Sequence, residues 1–273
     1  MAFIDAAKLD KKKVLIRLDL NVPLREGVIA DDSRIREALP TINHVLKMNG
    51  SAILCSHLGK PKGERKPELS LQPVAKRLSE LLEKDVNMAP DCVGEEVKGM
   101  VKELKPGDCL LLENLRFHSG ETKNDKEFSR QLAELGDVFV NDAFGVVHRK
   151  HASVVGVVDY APASYGGFLL KKETGYLRKA LQNPDRPFVL IAGGAKVSTK
   201  LGVLANLAGK VDRIIVGGAM ANTFIKAQGF GTGLSLVEPE HQEDALQIMN
   251  RARENKVSFY FPVDFVTGRD INA

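Results

Sequence analysis

The stretch DVFVNDAFGVVHRKHAS, residues 137–153, contains a pattern that the rest of the chain repeats. Residues 137–140 are apolar enough for a short strand, and the polar pair Asn141 and Asp142 follows it directly. A group of cationic or titratable side chains comes soon afterwards: His148, Arg149, Lys150 and His151. Because ligands of α/β proteins bind beyond the carboxyl ends of parallel strands, this placement suggests an anion site. For one isolated segment, a solvated basic loop would be the better explanation.

Basic and polar residues also follow the other predicted strands of the first half, over residues 14–20, 51–56 and 109–113. The candidates are Arg17, Asp19 and Asn21, then His57 and Lys60, then Arg116 and His118, then His148, Arg149 and His151, with Arg34 and Arg36 at the start of the first helix. Parallel strands bring their carboxyl ends to one edge of the sheet. Basic residues after four such strands therefore predict a site for an acid that has phosphate and carboxylate groups.

Amphipathic helices alternate with these strands, which favours a mainly parallel sheet. Ser33 is the predicted N-cap of a helix that ends at Gly50, and Ser70 begins the next. A short helix is expected over residues 93–104. Asn124 and Glu127 resemble a capping box for a helix that ends at Leu135.

A group of helix breakers separates the two halves of the chain. Pro162, Gly166 and Gly167 precede a predicted helix over residues 168–181, and a turn segment with two prolines follows it. The sequence therefore predicts an N-terminal domain over residues 1–165, a hinge helix over 166–182 and a C-terminal domain over 183–273.

Two glycine pairs follow predicted strands in the second half. Residues 188–192 precede Gly193-Gly194-Ala195, and residues 212–216 precede Gly217-Gly218. If a helix begins directly after the first pair, Lys196 and Lys200 share one of its faces and can bind phosphate. The Walker A pattern and G-x-G-x-x-G are both absent, so a tight turn with solvated lysines explains these residues equally well. Helices over 220–228 and 240–255 and a strand over 257–261 follow.

The composition is that of an ordinary soluble protein, with 44% hydrophobic and 27% charged residues. A net charge of +4 is small for a nucleic-acid binder, and aromatic residues are not interleaved with the basic ones. Cys55, Cys92 and Cys109 lack C-x-x-C spacing, which predicts free thiols and no structural zinc site. We find no signal peptide and no membrane-spanning run, and expect a cytoplasmic protein.

Seven motifs occur in the order and spacing of one family: RLDLNVPL, SRIREALPTI, SHLGKPKG, LLENLRFHSGE, FVNDAFGVVHRKHAS, GGAKVSTKLGVL and VGGAMANTF. From about Lys13 onward the chain resembles phosphoglycerate kinases. The resemblance implies two Rossmann-like parallel-sheet domains around a hinge, the first for 3-phosphoglycerate and the second for Mg-ATP or Mg-ADP. It also implies a monomer that transfers a phosphoryl group between 1,3-bisphosphoglycerate and ADP.

The resemblance assigns roles to individual residues. The acid would be bound by Asp19, Asn21, Arg34, His57, Arg116 and Arg149, and Arg34 would also stabilise the transferring group. Lys196 would follow the phosphoryl charge, Lys200 would bind nucleotide phosphates, and Gly193, Gly194, Ala195, Gly217 and Gly218 would line the nucleotide cleft. Lys60 stands where the family usually has Arg, which keeps the charge and loses the bidentate geometry.

The family's later nucleotide loops and its acidic magnesium ligand have no counterpart in the sequence. We therefore expect a fragment with an incomplete second domain, an exposed sheet edge, unburied apolar surface and essentially no kinase activity. One alternative is a fragment that binds 3-phosphoglycerate without turnover. Another is a nucleic-acid binder, whose affinity would depend steeply on salt.

Overall fold

The computed structural model describes residues 2–270. The chain separates into two compact units, Met1–Gly175 and Tyr176–Ala273, and the boundary lies inside the helix Phe168–Gln182. The predicted boundaries at 165 and 183, and the hinge role of this helix, stay predictions. Among the described residues, no helix is long and apolar enough to cross a membrane.

The N-terminal unit alternates strands with helices along most of its length. Its elements are β1 (Lys13–Arg17), β2 (Leu24–Arg25), β3 (Val28–Ile29), α1 (Ser33–Lys47), β4 (Ser51–Cys55), α2 (Gln72–Leu82), β5 (Val86–Met88), α3 (Glu95–Glu103), β6 (Cys109–Leu111), α4 (Ser119–Lys123), α5 (Lys126–Ala133), β7 (Val138–Asn141), β8 (Ser164–Gly166) and α6 (Phe168–Gln182). Within residues 2–270, the N-terminal sheet has six strands in the order β5-β6-β4-β1-β7-β8. All neighbouring strands in it are parallel, which confirms the predicted α/β class.

Strand β1 lies near the middle of this sheet, and both of its faces are covered. Val14 and Ile16 pack into one hydrophobic cluster, whereas Leu15 points into a second cluster with Phe139. Such a strand is apolar at successive positions because neither face contacts water. Burial on both faces fixes the register of β1, and this register places Arg17 at the carboxyl edge.

Three local predictions were wrong. The strand predicted over residues 14–20 ends at Arg17, because a turn follows in which Val22 N donates to the Leu20 carbonyl.

The other two wrong predictions concern helix caps. Helix α1 has Asp32 at its N-cap position, one residue before Ser33. Asn124 ends α4 with φ 54°, and Asp125 caps α5 by accepting a hydrogen bond from Phe128 N at 2.9 Å. The positions of Asn124 and Asp125 follow known residue preferences, since Asn tolerates left-handed backbone and Asp is a common N-cap residue.

The C-terminal unit repeats the strand–helix alternation on a smaller scale. It contains β9 (Val189–Gly193), α7 (Leu201–Leu207), β10 (Arg213–Gly217), α8 (Met220–Ala227), α9 (Gln242–Glu254) and β11 (Ser258–Tyr260). In the described part of the chain, its parallel sheet has three strands in the order β11-β10-β9. Leu204, Phe224 and Ile248 of its helices share one hydrophobic cluster with Ile214.

The opposite face of the C-terminal sheet is exposed. Ile191 of β9 is 75% exposed, and Ile215 of β10 is 38% exposed. Their neighbours Ala192 and Ile214, which point to the other face, are buried. This confirms the expectation of unburied apolar surface in the second half, because only one face of the sheet is covered by helices.

Candidate functional site

Arg17, the last residue of β1, is fully buried at the carboxyl edge of the N-terminal sheet. Its guanidinium donates hydrogen bonds to Ser153 Oγ at 2.8 Å, to Ser56 Oγ at 3.5 Å and to the carbonyl of Leu18. It also approaches Nδ1 of His57 at 3.1 Å. Because a guanidinium can only donate, Nδ1 must be the acceptor and the proton of a neutral His57 must be on Nε2.

His57 lies just beyond β4 and is 2% exposed. Burial, as the largest cause, and the charges of Arg17, Arg116, Arg149 and His151 together lower its pKa to about 2. The imidazole is therefore neutral at physiological pH. It can offer an N–H donor to a ligand but adds no charge of its own.

Arg116 follows β6 and approaches the same edge. Its NH1 donates to the carbonyl of Gly59 at 2.8 Å, whereas its buried Nε has no hydrogen-bond partner among the described residues. Burial lowers the pKa of Arg116, and the nearby charges of Arg149 and Arg17 act in the same direction. An unpaired buried donor is costly, so this N–H is available to an acidic ligand.

Glu121 is the fully buried acid of this region. It accepts hydrogen bonds from Ser153 Oγ at 2.7 Å and Ser153 N at 3.0 Å, and His151 Nδ1 lies 3.6 Å away. Burial opposes its ionisation, but the nearby His151 ring, the charge of Arg17 and the hydrogen bonds of Ser153 together hold its pKa below the ordinary value. Its negative charge acts on Arg17 and Arg116. We call Arg17, Arg116 and Arg149 the arginine cluster, because the charges of all three act on His57.

Asp19, Asn21 and Arg34 lie beside the arginine cluster. Arg34 NH1 is 2.5 Å from Asp19 Oδ2, and the Arg34 side chain is 52% exposed. Asn21 Oδ1 accepts a hydrogen bond from Gly59 N at 2.8 Å. A Cβ on Gly145 would lie 2.5 Å from Asp19 Oδ2, so the loop after β7 approaches Asp19 closely. The ends of β1, β4, β6 and β7 thus contribute to one edge.

Other predicted candidates lie apart from the arginine cluster or have no contact with it. His118 Nε2 is 2.6 Å from Asp91 Oδ1, and its ring stacks on Phe128. Arg36 pairs with Asp32. Lys60 and His148 are exposed. Arg149, by contrast, belongs to the arginine cluster, because its charge acts on Arg116 and His57. It is half-buried, and the structure gives its side chain no hydrogen bond or ion pair within the described residues.

Sequence reasoning missed Glu121, Ser153 and Ser56. Ser153 meets Arg17 across 136 positions of sequence, and a buried acid leaves no pattern in the residues around it. The one available signal was charge balance, because a buried Arg17 needs a nearby carboxylate.

In the C-terminal unit, the two glycine pairs lie side by side at the carboxyl ends of β9 and β10. Gly193 is paired in register with Gly217. Gly218 has φ 67°, and a Cβ there would lie 3.0 Å from the backbone N and O of Gly194. The two turns therefore touch through backbone alone, and the lack of side chains leaves room for a flat or phosphorylated ligand.

The predicted helical placement of Lys196 and Lys200 was wrong. Helix α7 begins at Leu201, and both lysines lie in the turn segment before it, exposed. Ser198 donates from N at 3.0 Å and from Oγ at 2.7 Å to the Glu238 carboxylate. These bonds satisfy the Ser198 backbone outside a helix, so the lysines share a loop and not a helical face.

We expect Gly218→Ala to destabilise the C-terminal unit by roughly 1–2 kcal/mol, the cost of left-handed backbone for an L-residue, because its φ is 67°. The contact with Gly194 adds to this cost. Gly202→Ala in α7 is the matched control, since its Cβ meets nothing within 4 Å and alanine favours helix. Hydrogen exchange of the β10 amides measures both. Equal protection in the two variants would show that the Gly218 turn is not strained.

The fold and these two regions define a class: an α/β protein with clustered arginines at the carboxyl edge of one parallel sheet and paired glycine turns at the carboxyl edge of another. A profile described as phosphoglycerate kinase matches residues 4–273. The phosphoglycerate kinase of Chloroherpeton thalassium is 55% identical over 263 residues, covering 96% of this chain and 66% of the relative. That of Clostridium novyi is 53% identical over 272 residues, with 99% and 68% covered. The chain belongs to the phosphoglycerate kinase family.

Solved structures agree with this assignment. Phosphoglycerate kinase from Coxiella burnetii matches with a TM-score of 0.84 and 44% identity, covering 95% of this chain and 65% of that one. The Pyrococcus horikoshii enzyme matches with a TM-score of 0.82 and 32% identity, covering 97% and 68%. The chain thus spans about two thirds of the length of the relatives that it matches, for example 66% of the Chloroherpeton protein.

Proposed function

We propose that the chain contains the acid site and part of the nucleotide site of a phosphoglycerate kinase. The reaction is reversible phosphoryl transfer from 1,3-bisphosphoglycerate to ADP, which gives 3-phosphoglycerate and ATP in glycolysis, in the cytoplasm. The observation that best supports it is the excess positive charge of the arginine cluster over Glu121 at the sheet edge. Excess buried charge is unfavourable unless an anion joins it, and a phosphorylated acid supplies that anion.

The acid would be bound by groups with different chemistry. Arg116 offers its unpaired Nε, and Arg149 has a guanidinium without a protein partner among the described residues. His57 would donate from Nε2 as a neutral group, because Arg17 occupies Nδ1. Asn21 and Asp19 would orient the hydroxyl end of the acid, and Lys60 would add a mobile point charge.

Phosphoryl transfer needs positioned cations and not a protein nucleophile, because the charge of the transferring group spreads over its equatorial oxygens. We assign this role to Arg34 and Lys196. Arg34 is anchored by Asp19 at 2.5 Å and is half exposed, so it can turn toward an incoming group. Lys196 is exposed next to the glycine pairs and can reach an oxygen of a bound nucleotide.

The nucleotide would lie on the paired turns of Gly193, Gly194, Gly217 and Gly218, next to Ala195, with Lys200 on its phosphates. The groups around these turns are lysines and backbone, and the Glu238 carboxylate is already occupied by Ser198. Lysine ammonium groups and backbone N–H groups can bind phosphate oxygens, whereas a bare Mg²⁺ ion needs oxygen ligands. Mg²⁺ would therefore arrive with the nucleotide and supply charge neutralisation there.

Residues 1–165 and 183–273 would act as the two substrate domains, with residues 166–182 as the hinge in a monomeric enzyme. The start of α6 is well anchored within the N-terminal unit. Leu170 N donates to Asp142 Oδ1 at 2.9 Å, and Phe168 N donates to Thr41 Oγ1 at 3.0 Å. A firmly held first turn would let any bending take place later in the helix.

Calorimetric titration of the 273-residue chain tests the function. We expect 3-phosphoglycerate and Mg-ADP to bind with one-to-one stoichiometry each and without displacing one another, because their sites lie on different sheets. Glycerate without phosphate is the control and should bind far more weakly. Competition between the two ligands, or displacement of 3-phosphoglycerate by single-stranded DNA, would contradict the proposal.

A further inference from the structure

Asp91, Cys92 and His118 form a cluster that the proposed reaction does not use. Asp91 and Cys92 follow β5, and His118 follows the short turn after β6. The parallel pairing of β5 with β6 brings these two chain segments together, and Glu113 N donates to the carbonyl of Asp91 at 3.3 Å. The ligand atoms of the three side chains all lie within 4.8 Å of one another.

The spacing within this cluster resembles a metal site. Ligand atoms of a tetrahedral zinc ion with bonds of 2.0–2.3 Å lie about 3.3–3.8 Å apart. Cys92 Sγ lies 3.5 Å from Asp91 Oδ1, which already matches. His118 Nε2 lies 2.6 Å from the same oxygen, so this hydrogen bond must open by less than about 1 Å. The His118 side chain is 32% exposed and can move this far.

We propose that Asp91, Cys92 and His118 bind Zn²⁺, with water as the remaining ligand. Carboxylate, thiolate and imidazole are the three ligand types that zinc prefers in proteins. The site is also partly preorganised. Stacking on Phe128 holds the His118 ring, and the Cys92 N–H bond to Asp91 Oδ1 at 2.7 Å holds the carboxylate beside the thiol.

The binding step is balanced. The Sγ–H bond of Cys92 breaks, an Sγ–Zn bond forms, and the proton goes to solvent. Asp91 contributes its existing negative charge. Nε2 of His118 first gives up to solvent the proton that it donates to Asp91 Oδ1, while Nδ1 bears the proton of the ring, and Nε2 then contributes its lone pair to the ion. The ion replaces the short contact between Asp91 and His118 and links the ends of β5 and β6. Paired-cysteine spacing does not reveal such a site, because its ligands come from two strands and include one cysteine.

Co²⁺ titration of the 273-residue chain tests the proposal, since a thiolate–cobalt bond gives a charge-transfer absorption that carboxylate and imidazole ligands do not. We expect this absorption in the wild type, and we expect Zn²⁺ to abolish it by displacement. It should be absent in Cys92→Ser and retained in Cys109→Ser, whose thiol is buried in a different hydrophobic cluster from that of Cys92. His118→Gln keeps the thiol and should weaken Zn²⁺ binding by more than about 100-fold.

Thermal unfolding gives a second measurement. Zn²⁺ should raise the unfolding temperature of the wild type and of Cys109→Ser, and leave that of Cys92→Ser unchanged, because a ligand stabilises the state that binds it. Co²⁺ binding without the charge-transfer absorption, or an absorption that survives in Cys92→Ser, would overturn the proposal. The acidic cluster of Glu238, Glu240 and His241 contains no thiol and cannot produce this signal.

Discussion

Glu121→Gln is expected to destabilise the N-terminal unit by roughly 3–5 kcal/mol, the range for leaving a buried charge without its counter-charge, here Arg17, which is linked to Glu121 through Ser153 Oγ. Both carboxylate oxygens of Glu121 accept hydrogen bonds from Ser153, one from N and one from Oγ. An amide has only one acceptor oxygen, so its NH₂ group must face a donor. The charge of buried Arg17 also loses its counter-charge.

The destabilisation caused by Glu121→Gln should depend on pH and be smaller in acid. The pKa of Glu121 is below its ordinary value of 4.5, so its contribution to stability is complete above pH 4.5 and declines as the pH falls further. Protonated glutamic acid has the same donor mismatch as glutamine. The difference between wild type and variant should therefore shrink in acid.

Hydrogen exchange of the β1 and β7 amides measures this difference within the N-terminal unit. Glu127→Gln is the matched control, because Glu127 is exposed and its partners within residues 2–270 are neighbours on α5, including Arg130. Such surface pairs contribute little to stability. If the two variants lost equal protection, Glu121 would not be the counter-charge that holds the arginines together.

The parallel sheet of the N-terminal unit was predictable, because the alternation of strands and helices and the apolar sequence of β1 both indicate it. Alternating strands and helices require a parallel sheet, and the apolar run of β1 requires cover on both faces. From these two facts it follows that Arg17, His57 and Arg116 reach one edge. Their spatial closeness is a consequence of topology, which the sequence pattern specifies well.

Short elements were not predictable in the same way. Strands β5 and β8 have only a few residues each and no clear periodicity, and the β2–β3 hairpin depends on Glu26 at φ 52° and Gly27 at φ 78°. The spacing of Lys196 and Lys200 fits a helix and a loop equally well, so the sequence pattern does not distinguish the two. The form of this segment depends on Glu238, about forty positions away in the sequence.

The buried network behind the acid site shows the same limit. Arg17 was recognised as a basic residue at a strand end, and nothing near it in sequence indicates that Ser153 and Ser56 bind it. The consequence for His57 is chemical, because Arg17 fixes which ring nitrogen bears the proton. A sequence motif identifies His57 as a candidate, and only the three-dimensional contact gives its protonation state.

Arg149→Ala is expected to weaken 3-phosphoglycerate binding by roughly 1.5–3 kcal/mol, the range for a hydrogen bond to a charged group. This corresponds to about 10- to 150-fold in dissociation constant. Arg149 suits this test because the structure gives its side chain no protein partner among the described residues. The positive charge of Arg149 also disfavours positive charge on its neighbours, since it contributes to lowering the pKa of both Arg116 and His57.

The same repulsion predicts an unusual combination of effects. Removal of Arg149 relieves the unfavourable charge of the arginine cluster, so stability should stay equal or rise while acid affinity falls. Arg36→Ala is the matched control, because Arg36 pairs with Asp32 on the surface and should leave acid affinity unchanged. Calorimetric titration and thermal unfolding of each variant measure the two effects. A loss of stability in Arg149→Ala would mean that Arg149 has a structural partner, and an unchanged affinity would remove it from the acid site.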